Sequence, residues 1–202
     1  AAAVALGKIN TDSSLHASAS IARDDPDERV RTNAVRALQN FQFDQTKPIL
    51  REALRDTSVN VAIAAAETIR ATMTPQHWRE FYELAGTTTD WRVQANLYEA
   101  ALSSTRTEKL IEQVKSLYNT SDNLYEKAAL LSALQHALKS YGFLQQQLLE
   151  REEPVIKSSA ASALVAMNYH KNFDSSLANV FAKIYEQAIQ EGDAAVIGIV
   201  TG

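Results

Sequence analysis

One stretch decides the fold of this 202-residue chain: Asp27-Glu28-Arg29-Val30-Arg31-Thr32-Asn33-Ala34-Val35-Arg36-Ala37-Leu38. An acidic residue opens the stretch, and Val30, Ala34 and Leu38 then recur every four residues. That spacing puts the apolar side chains on one stripe of an α-helix, and the acidic side chain can cap the helix N-terminus. The stretch therefore predicts an amphipathic helix that packs through a face with small side chains.

The same pattern recurs four more times along the chain. Positions equivalent to Leu38 are Ile69, Ala101, Leu134 and Leu164, so the successive steps are 31, 32, 33 and 30 residues. Each copy follows another helical segment, so each repeat consists of a first and a second helix. Self-similarity at a nearly fixed step is the sequence signature of helical repeat proteins. We therefore predict an all-α chain built from stacked helix pairs.

This register predicts one repeat domain over residues 1–202. The expected full repeats are residues 10–40, 46–72, 75–103, 106–139 and 142–168, with partial repeats at 1–9 and 173–202. Both ends are apolar where repeat arrays normally carry polar caps, so we expect a segment truncated at both ends. In the second repeat, Pro48 is expected in the first turn of a helix, where its missing N–H costs no hydrogen bond.

The composition supports this fold and excludes several function classes. The chain has only 6 Gly and 4 Pro, too few for the many tight turns of a β-sandwich or β-barrel. It contains no Cys, which excludes disulfides and thiol chemistry and leaves both cytoplasm and periplasm open as locations. The net charge of −4 argues against nucleic acid as a partner. No apolar run approaches the length of a membrane span.

No set of residues has the spacing of a catalytic or metal site. The four histidines, His16, His77, His136 and His170, fall in different repeats and form no His-x-x-x-His pair. There is no Gly-x-Ser-x-Gly nucleophile motif and no Gly-rich phosphate loop. We expect no catalytic residue, cofactor or metal in this chain.

The pattern Asp-x-x-Val-Arg-x-x-Ala-x-x-Ala-Leu, present almost verbatim from Asp27 to Leu38, resembles the HEAT-repeat superfamily. It is similar in particular to the short HEAT-like repeats of the phycobilin-lyase type, and the resemblance covers essentially the whole chain. The resemblance implies a right-handed α-solenoid of HEAT-like helix pairs that binds another macromolecule along its surface and has no active site of its own.

The resemblance also assigns a structural role to charged residues. In the family, the Asp and Arg of the pattern form a ladder between adjacent repeats. The residues carried over to this ladder are Asp27, Arg31, Asp56, Asp90, Asp122 and Lys157. The ladder is expected to break where Ala62 and Gln94 replace the family Arg.

In a solenoid of this kind the second helices line the concave side, so their outward side chains are candidates for partner binding. The predicted partner-binding residues are Arg36, Glu67, Arg70, Trp91, Tyr98, Glu99 and Gln135. Trp91 and Tyr98 have two interpretations, an aromatic anchor for a partner segment or packing within the core.

The predicted function is a non-catalytic scaffold that binds a partner protein, a peptide or an adjacent domain. The alternative is the HEAT-repeat segment of a larger enzyme, such as a bacterial cyclophilin-type peptidyl-prolyl isomerase or a lyase-like protein, with catalytic residues outside this chain. A HEAT-like DNA glycosylase is disfavoured by the acidic balance of charges.

Overall fold

A computed structural model describes residues 2–150, 153–169, 175–194 and 197–198. In these ranges the regular structure is entirely helical, which confirms the all-α prediction. Helices α1 to α12 span, in chain order, Ala2–Ile9, Asp12–Asp24, Glu28–Ala37, Phe43–Ala53, Val59–Thr72, Trp78–Ala85, Trp91–Ser104, Glu108–Thr120, Leu124–Leu134, Tyr141–Glu150, Pro154–Tyr169 and Ser175–Glu191. Short 3₁₀ helices lie at Leu38–Asn40, Pro75–His77 and Leu138–Ser140.

Polar side chains begin several of the second helices, as the sequence pattern predicts. The Asp27 carboxylate accepts a hydrogen bond from the backbone N–H of Arg29 at 2.8 Å. The Asn123 side chain caps α9 in the same way, accepting from the N–H of Tyr125 at 2.9 Å. These bonds satisfy N–H groups that have no partner inside the helix, and so they fix where each helix starts.

The position of Pro48 differs from the sequence prediction. Helix α4 begins at Phe43, so Pro48 lies inside the helix and not in its first turn. Phe43 is buried and extends the helix upstream, while the Thr46 hydroxyl donates to the Phe43 carbonyl at 3.2 Å. The proline costs α4 one backbone hydrogen bond, because its nitrogen has no hydrogen to donate to the carbonyl of Asp44.

The chain forms two compact units, Ala1–Thr105 and Arg106–Gly202. In the first unit, α2 packs on α3, α4 on α5 and α6 on α7, which gives three helix pairs. Successive second helices also contact each other, α3 with α5 and α5 with α7, more extensively than the first helices α2 and α4 do. The second helices are therefore the more closely packed layer of this unit. The prediction of one repeat domain over residues 1–202 stays a prediction.

Small side chains allow this close packing. In all five copies of the pattern, the next-to-last residue has a small, buried side chain. These residues are Ala37, Thr68, Ala100, Ala133 and Ala163. In α1, Gly7 is the small residue that allows close packing. A Cβ at Gly7 would lie 2.9 Å from the carbonyl oxygen of Ala37, so only glycine lets α1 approach α3 this closely.

The second unit repeats the arrangement with its own buried contacts. Helix α8 packs on α9, α10 packs on α11, and α9 and α11 contact each other extensively. Tyr118 is fully buried, donates its hydroxyl to Gln147 Oε1 at 2.7 Å and meets the Phe143 ring edge-on at 5.3 Å between ring centroids. A hydrogen bond between two buried side chains thus joins α8 to α10.

Candidate protein-interaction surface

A row of polar side chains crosses the second helices of the first unit. Arg36 of α3 forms an ion pair with Glu67 of α5, with Nη2 and Oε2 3.3 Å apart. Arg70 of α5 pairs with Glu99 of α7 at 3.1 Å and donates from Nε to the side-chain oxygen of Asn96 at 2.9 Å. We call these five residues the polar row. It brings together four of the seven predicted partner-binding residues.

The polar row is exposed but held in place. The side chains of Arg36, Glu67 and Arg70 are between 40% and 53% exposed, whereas Glu99 is mostly covered. Exposed ion pairs of this kind contribute only about 0–1 kcal/mol to stability. In general, a side chain that is already ordered loses less entropy when it enters an interface than a mobile side chain does.

The two predicted aromatic residues have different environments. Tyr98 is only 1% exposed, and its ring centroid lies 6.2 Å from that of Tyr82. It belongs to the core and is not available on the surface, so the anchor interpretation is corrected for this residue. Trp91 is half-buried at the start of α7, with the Arg92 guanidinium 5.9 Å from its ring centroid.

Gln135, the last predicted partner-binding residue, lies in the second unit. It is half-buried and lines a cavity of about 520 Å³ whose lining includes Leu138 and Met167. It is therefore described apart from the polar row.

The predicted ladder has one complete rung. Arg31 reaches from α3 to Asp56 at the start of the next second helix, with Nε–Oδ2 and Nη2–Oδ1 distances of 2.9 and 2.8 Å. Both side chains are only 12% exposed, and Arg31 Nη1 also donates to the carbonyl of Asp25 at 2.9 Å. The pair is planar, bidentate and largely shielded from water, which makes it stronger than a typical surface ion pair.

At Ala62 and Gln94, where the ladder is expected to break, other contacts replace the rung. Ala62 has no charged group that could bind Asp90 of the next repeat. Asp90 instead pairs with Arg92 of its own repeat, with Nε–Oδ1 and Nη2–Oδ2 distances of 3.1 and 2.7 Å. The Gln94 amide donates to the carbonyl of Ala85 at 3.0 Å. Both replacements are local, within one repeat.

The remaining ladder residues do not form rungs with each other. Asp27 caps α3, and Asp122 is exposed beside Asn123, which caps α9 in its place. The Lys157 amine is largely covered and lies 3.8 Å from Glu191 Oε2 in α12. Asp122 and Lys157 therefore depart from the role that the resemblance assigned to them.

The rung has a consequence for stability at low pH. The hydrogen bond from Arg31, together with that from the Ser58 backbone, holds the pKa of Asp56 below its ordinary value despite partial burial. The unfolded chain therefore binds a proton at Asp56 more readily than the folded chain does. The stabilisation is fully present above the ordinary carboxyl pKa of about 4 and is lost as pH falls through the lowered pKa.

We expect Asp56→Asn to destabilise the first unit at neutral pH, with the deficit relative to the unchanged protein shrinking as the pH falls toward about 2. Urea titrations at several pH values, followed by tryptophan fluorescence, measure this, because Trp78 and Trp91 both lie in the first unit. Glu83→Gln, on an exposed position of α6, is the control and should show no such convergence. A deficit independent of pH would contradict the prediction.

A second set of charge pairs, on the first helices, was not predicted from the sequence. Arg23 of α2 binds Glu52 of α4 through two 2.9 Å contacts, and Arg51 of α4 lies 3.0 Å from Glu80 of α6. Glu80 also lies 3.4 Å from the amine of Lys47. The signal was present in the sequence: Arg23–Glu52, Arg51–Glu80 and Arg70–Glu99 all join a basic residue to an acidic one 29 positions later.

Searches for other kinds of site give negative findings within the described ranges. No group of three or more His, Asp or Glu side chains there is arranged to hold a metal ion. His77 Nε2 lies 2.8 Å from Asp44 Oδ1, and His170 falls outside the described residues. None of the described helices combines the length and apolar character needed to cross a membrane.

Residues 18–101 match a family model described as HEAT repeats. The matched segment runs from within α2 to within α7 and contains both the Arg31–Asp56 rung and the polar row. A comparison with curated proteins gives no match. HEAT repeats commonly mediate protein–protein interaction, through the extended surfaces that stacked repeats create.

Proposed function

Because residues 18–101 of this all-α chain are HEAT-like repeats, we propose that it acts as a non-catalytic scaffold that binds a partner protein, a peptide or an adjacent domain. The partner would dock on the exposed side chains of the second helices. The observation that carries the proposal is the polar row, which spans α3, α5 and α7 and is exposed along most of its length.

The packing beneath the polar row supports this function. Residues such as Ala34, Ala65 and Ala100 are fully buried, so the helices that carry the row sit on a closely packed layer. A partner would therefore meet a surface that changes little on binding. Cations and anions alternate along the row, from Arg36 through Glu67 and Arg70 to Glu99. That alternation matches a polar protein surface better than a uniformly charged polymer.

Site-specific photo-crosslinking tests the proposal. A photoreactive amino acid is placed at Gln39, which is exposed and occupies the position equivalent to Arg70, in cells that express the chain. The matched control carries the same amino acid at Gln45, an exposed position on the first helix α4. We expect a protein adduct at Gln39 that is identified by mass spectrometry and is several-fold weaker at Gln45.

The proposal also predicts the effect of reversing charges in the polar row. Combining Arg36→Glu with Arg70→Glu leaves the helices intact, because both side chains are exposed, and should abolish the adduct at Gln39. Equal crosslinking at Gln39 and Gln45, or an adduct that survives the double charge reversal, would refute binding at this surface.

A further inference from the structure

A basic cavity of about 670 Å³ lies in the first unit, lined by residues of α2, α3 and α4 and of the loop before α5, none of which belongs to the polar row. Its charged lining consists of four guanidinium groups and two carboxylates, from Arg23, Arg31, Arg51, Arg55, Glu52 and Asp56. This is an excess of positive charge in a protein whose net charge is −4. The cavity is therefore a local exception to the acidic character of the chain.

The four arginines are not equally available to a ligand. Arg23 and Arg31 already bind Glu52 and Asp56 through paired hydrogen bonds. Arg51 Nε lies 3.0 Å from Glu80 Oε1, and the Arg51 side chain is 47% exposed. Arg55 is exposed, and its side chain has no hydrogen bond or ion pair in the part of the chain that the structure describes.

Arg51 and Arg55 also line a second cavity, of about 300 Å³, on the side of α6 and α7. Its wall contains the apolar side chains of Leu54 and Leu84 and the three consecutive threonines at positions 87–89. The two cavities thus share the two least engaged arginines as a common wall. Cavities of about 300–1,000 Å³ are the usual size of ligand sites.

We propose that these two cavities form one groove that binds an acidic peptide segment of a partner protein. Carboxylates of the segment pair with Arg51 and Arg55, whose planar guanidinium groups match carboxylates in bidentate geometry. An apolar side chain beside the carboxylates rests on Leu54 and Leu84. The proposal rests on the proposed function in naming the chemistry of a protein partner, but it uses a different surface from the polar row.

The choice of a peptide over a single small anion follows from the shape of the site. A single small anion would leave the apolar wall unused. An extended segment supplies several carboxylates and an apolar side chain at once, and so matches the whole groove. The attraction is electrostatic at an exposed site, so it weakens as salt is added.

Fluorescence anisotropy with synthetic peptides tests the proposal. The probe is a fluorescein-labelled peptide of Glu and Asp residues around one Leu, and its control replaces every Glu with Gln and every Asp with Asn. We expect saturable, salt-sensitive binding of the acidic peptide alone. Arg55→Gln should weaken it about tenfold, and Arg51→Gln with Arg55→Gln should weaken it further, since each substitution removes a charge-assisted hydrogen bond to a carboxylate.

Arg79→Gln is the matched control, because it removes the same charge from an exposed position of α6 outside the groove. Arg55→Gln removes no side-chain hydrogen bond or ion pair of the described residues, so its urea midpoint should stay close to that of the unchanged protein. Equal binding of the amide peptide, equal loss in Arg79→Gln, or full competition by inorganic phosphate at the same concentration as unlabelled peptide would overturn the proposal.

Charge reversal gives an independent readout. Arg51→Glu with Arg55→Glu should lose the acidic peptide and gain a peptide in which Lys replaces Glu and Asp. If the acidic peptide does not bind while the adduct at Gln39 persists, the groove proposal fails and the scaffold function stands. If the adduct at Gln39 is absent while the acidic peptide binds as expected, the proposal of binding at the polar row fails and the groove proposal stands.

Discussion

Replacing Phe81 with Ala is expected to lower the free energy of unfolding of the first unit by about 3–5 kcal/mol. Phe81 lies fully buried in α6, and its ring meets that of Phe43 in α4 edge-on, with 5.8 Å between centroids. The substitution removes the transfer free energy of the ring and leaves a cavity between the first helices of two repeats. It also ends an aromatic contact that contributes about 0.5–1.5 kcal/mol beyond buried area.

Urea denaturation followed by tryptophan fluorescence measures this loss, since both tryptophans lie in the same unit as Phe81. Val59→Ala is the control, because Val59 is 39% exposed at the start of α5 and its truncation leaves little cavity. An unfolding free energy for Phe81→Ala within about 1 kcal/mol of the unchanged protein would show that the contact between α4 and α6 does not stabilise the fold.

The opposite change, adding volume between second helices, is expected to cost about 1–3 kcal/mol. Ala100 is fully buried in α7, which packs against α5 and α6, and its position is small in every copy of the pattern. Ala100→Leu forces three additional carbon atoms into this layer, so the helices must separate or the side chain must leave its preferred rotamer.

The control for Ala100→Leu is the same substitution at Ala71, an exposed position near the end of α5. Alanine and leucine have similar helix propensities, so Ala71→Leu should change the unfolding free energy by less than about 0.5 kcal/mol. Equal effects at Ala71 and Ala100 would mean that close packing of the second helices does not require a small side chain.

The sequence was sufficient to predict the helix pairs because local rules determine them. Apolar spacing identifies the buried face of each helix. Asp27 and Asp90 each begin a helix because the carboxylate accepts a hydrogen bond from a backbone N–H of the first turn. Pro48 shows the limit of these rules. Burial of Phe43 starts α4 five residues earlier than proline chemistry alone predicts, and that burial depends on the neighbouring repeat.

The site was harder to predict because its contacts depend on how each helix is rotated about its axis. The sequence left Tyr98 open between an aromatic anchor and core packing. The rotation of α7 points its ring into the core and leaves Glu99 facing Arg70. A shift of one residue along a helix turns a side chain by about 100°, which separates core from surface. The recurring step of 29 residues between opposite charges would have located three of the pairs.

The polar row also bears on how such a chain can lengthen by duplication. Among the second helices of the first unit, α5 carries both an acid for the repeat before it, Glu67, and a base for the repeat after it, Arg70. A tandem copy of that repeat would pair the Arg70 of one copy with the Glu67 of the next, and both flanking pairs would survive.

Copies of the neighbouring repeats would not join in this way. Duplicating the repeat of α3 would place Arg36 of one copy opposite Arg36 of the next. Duplicating the repeat of α7 would place the uncharged Leu102 of one copy opposite Glu99 of the next. The pairing of charges therefore favours the repeat of α5 over its two neighbours as the unit whose duplication keeps opposite charges together.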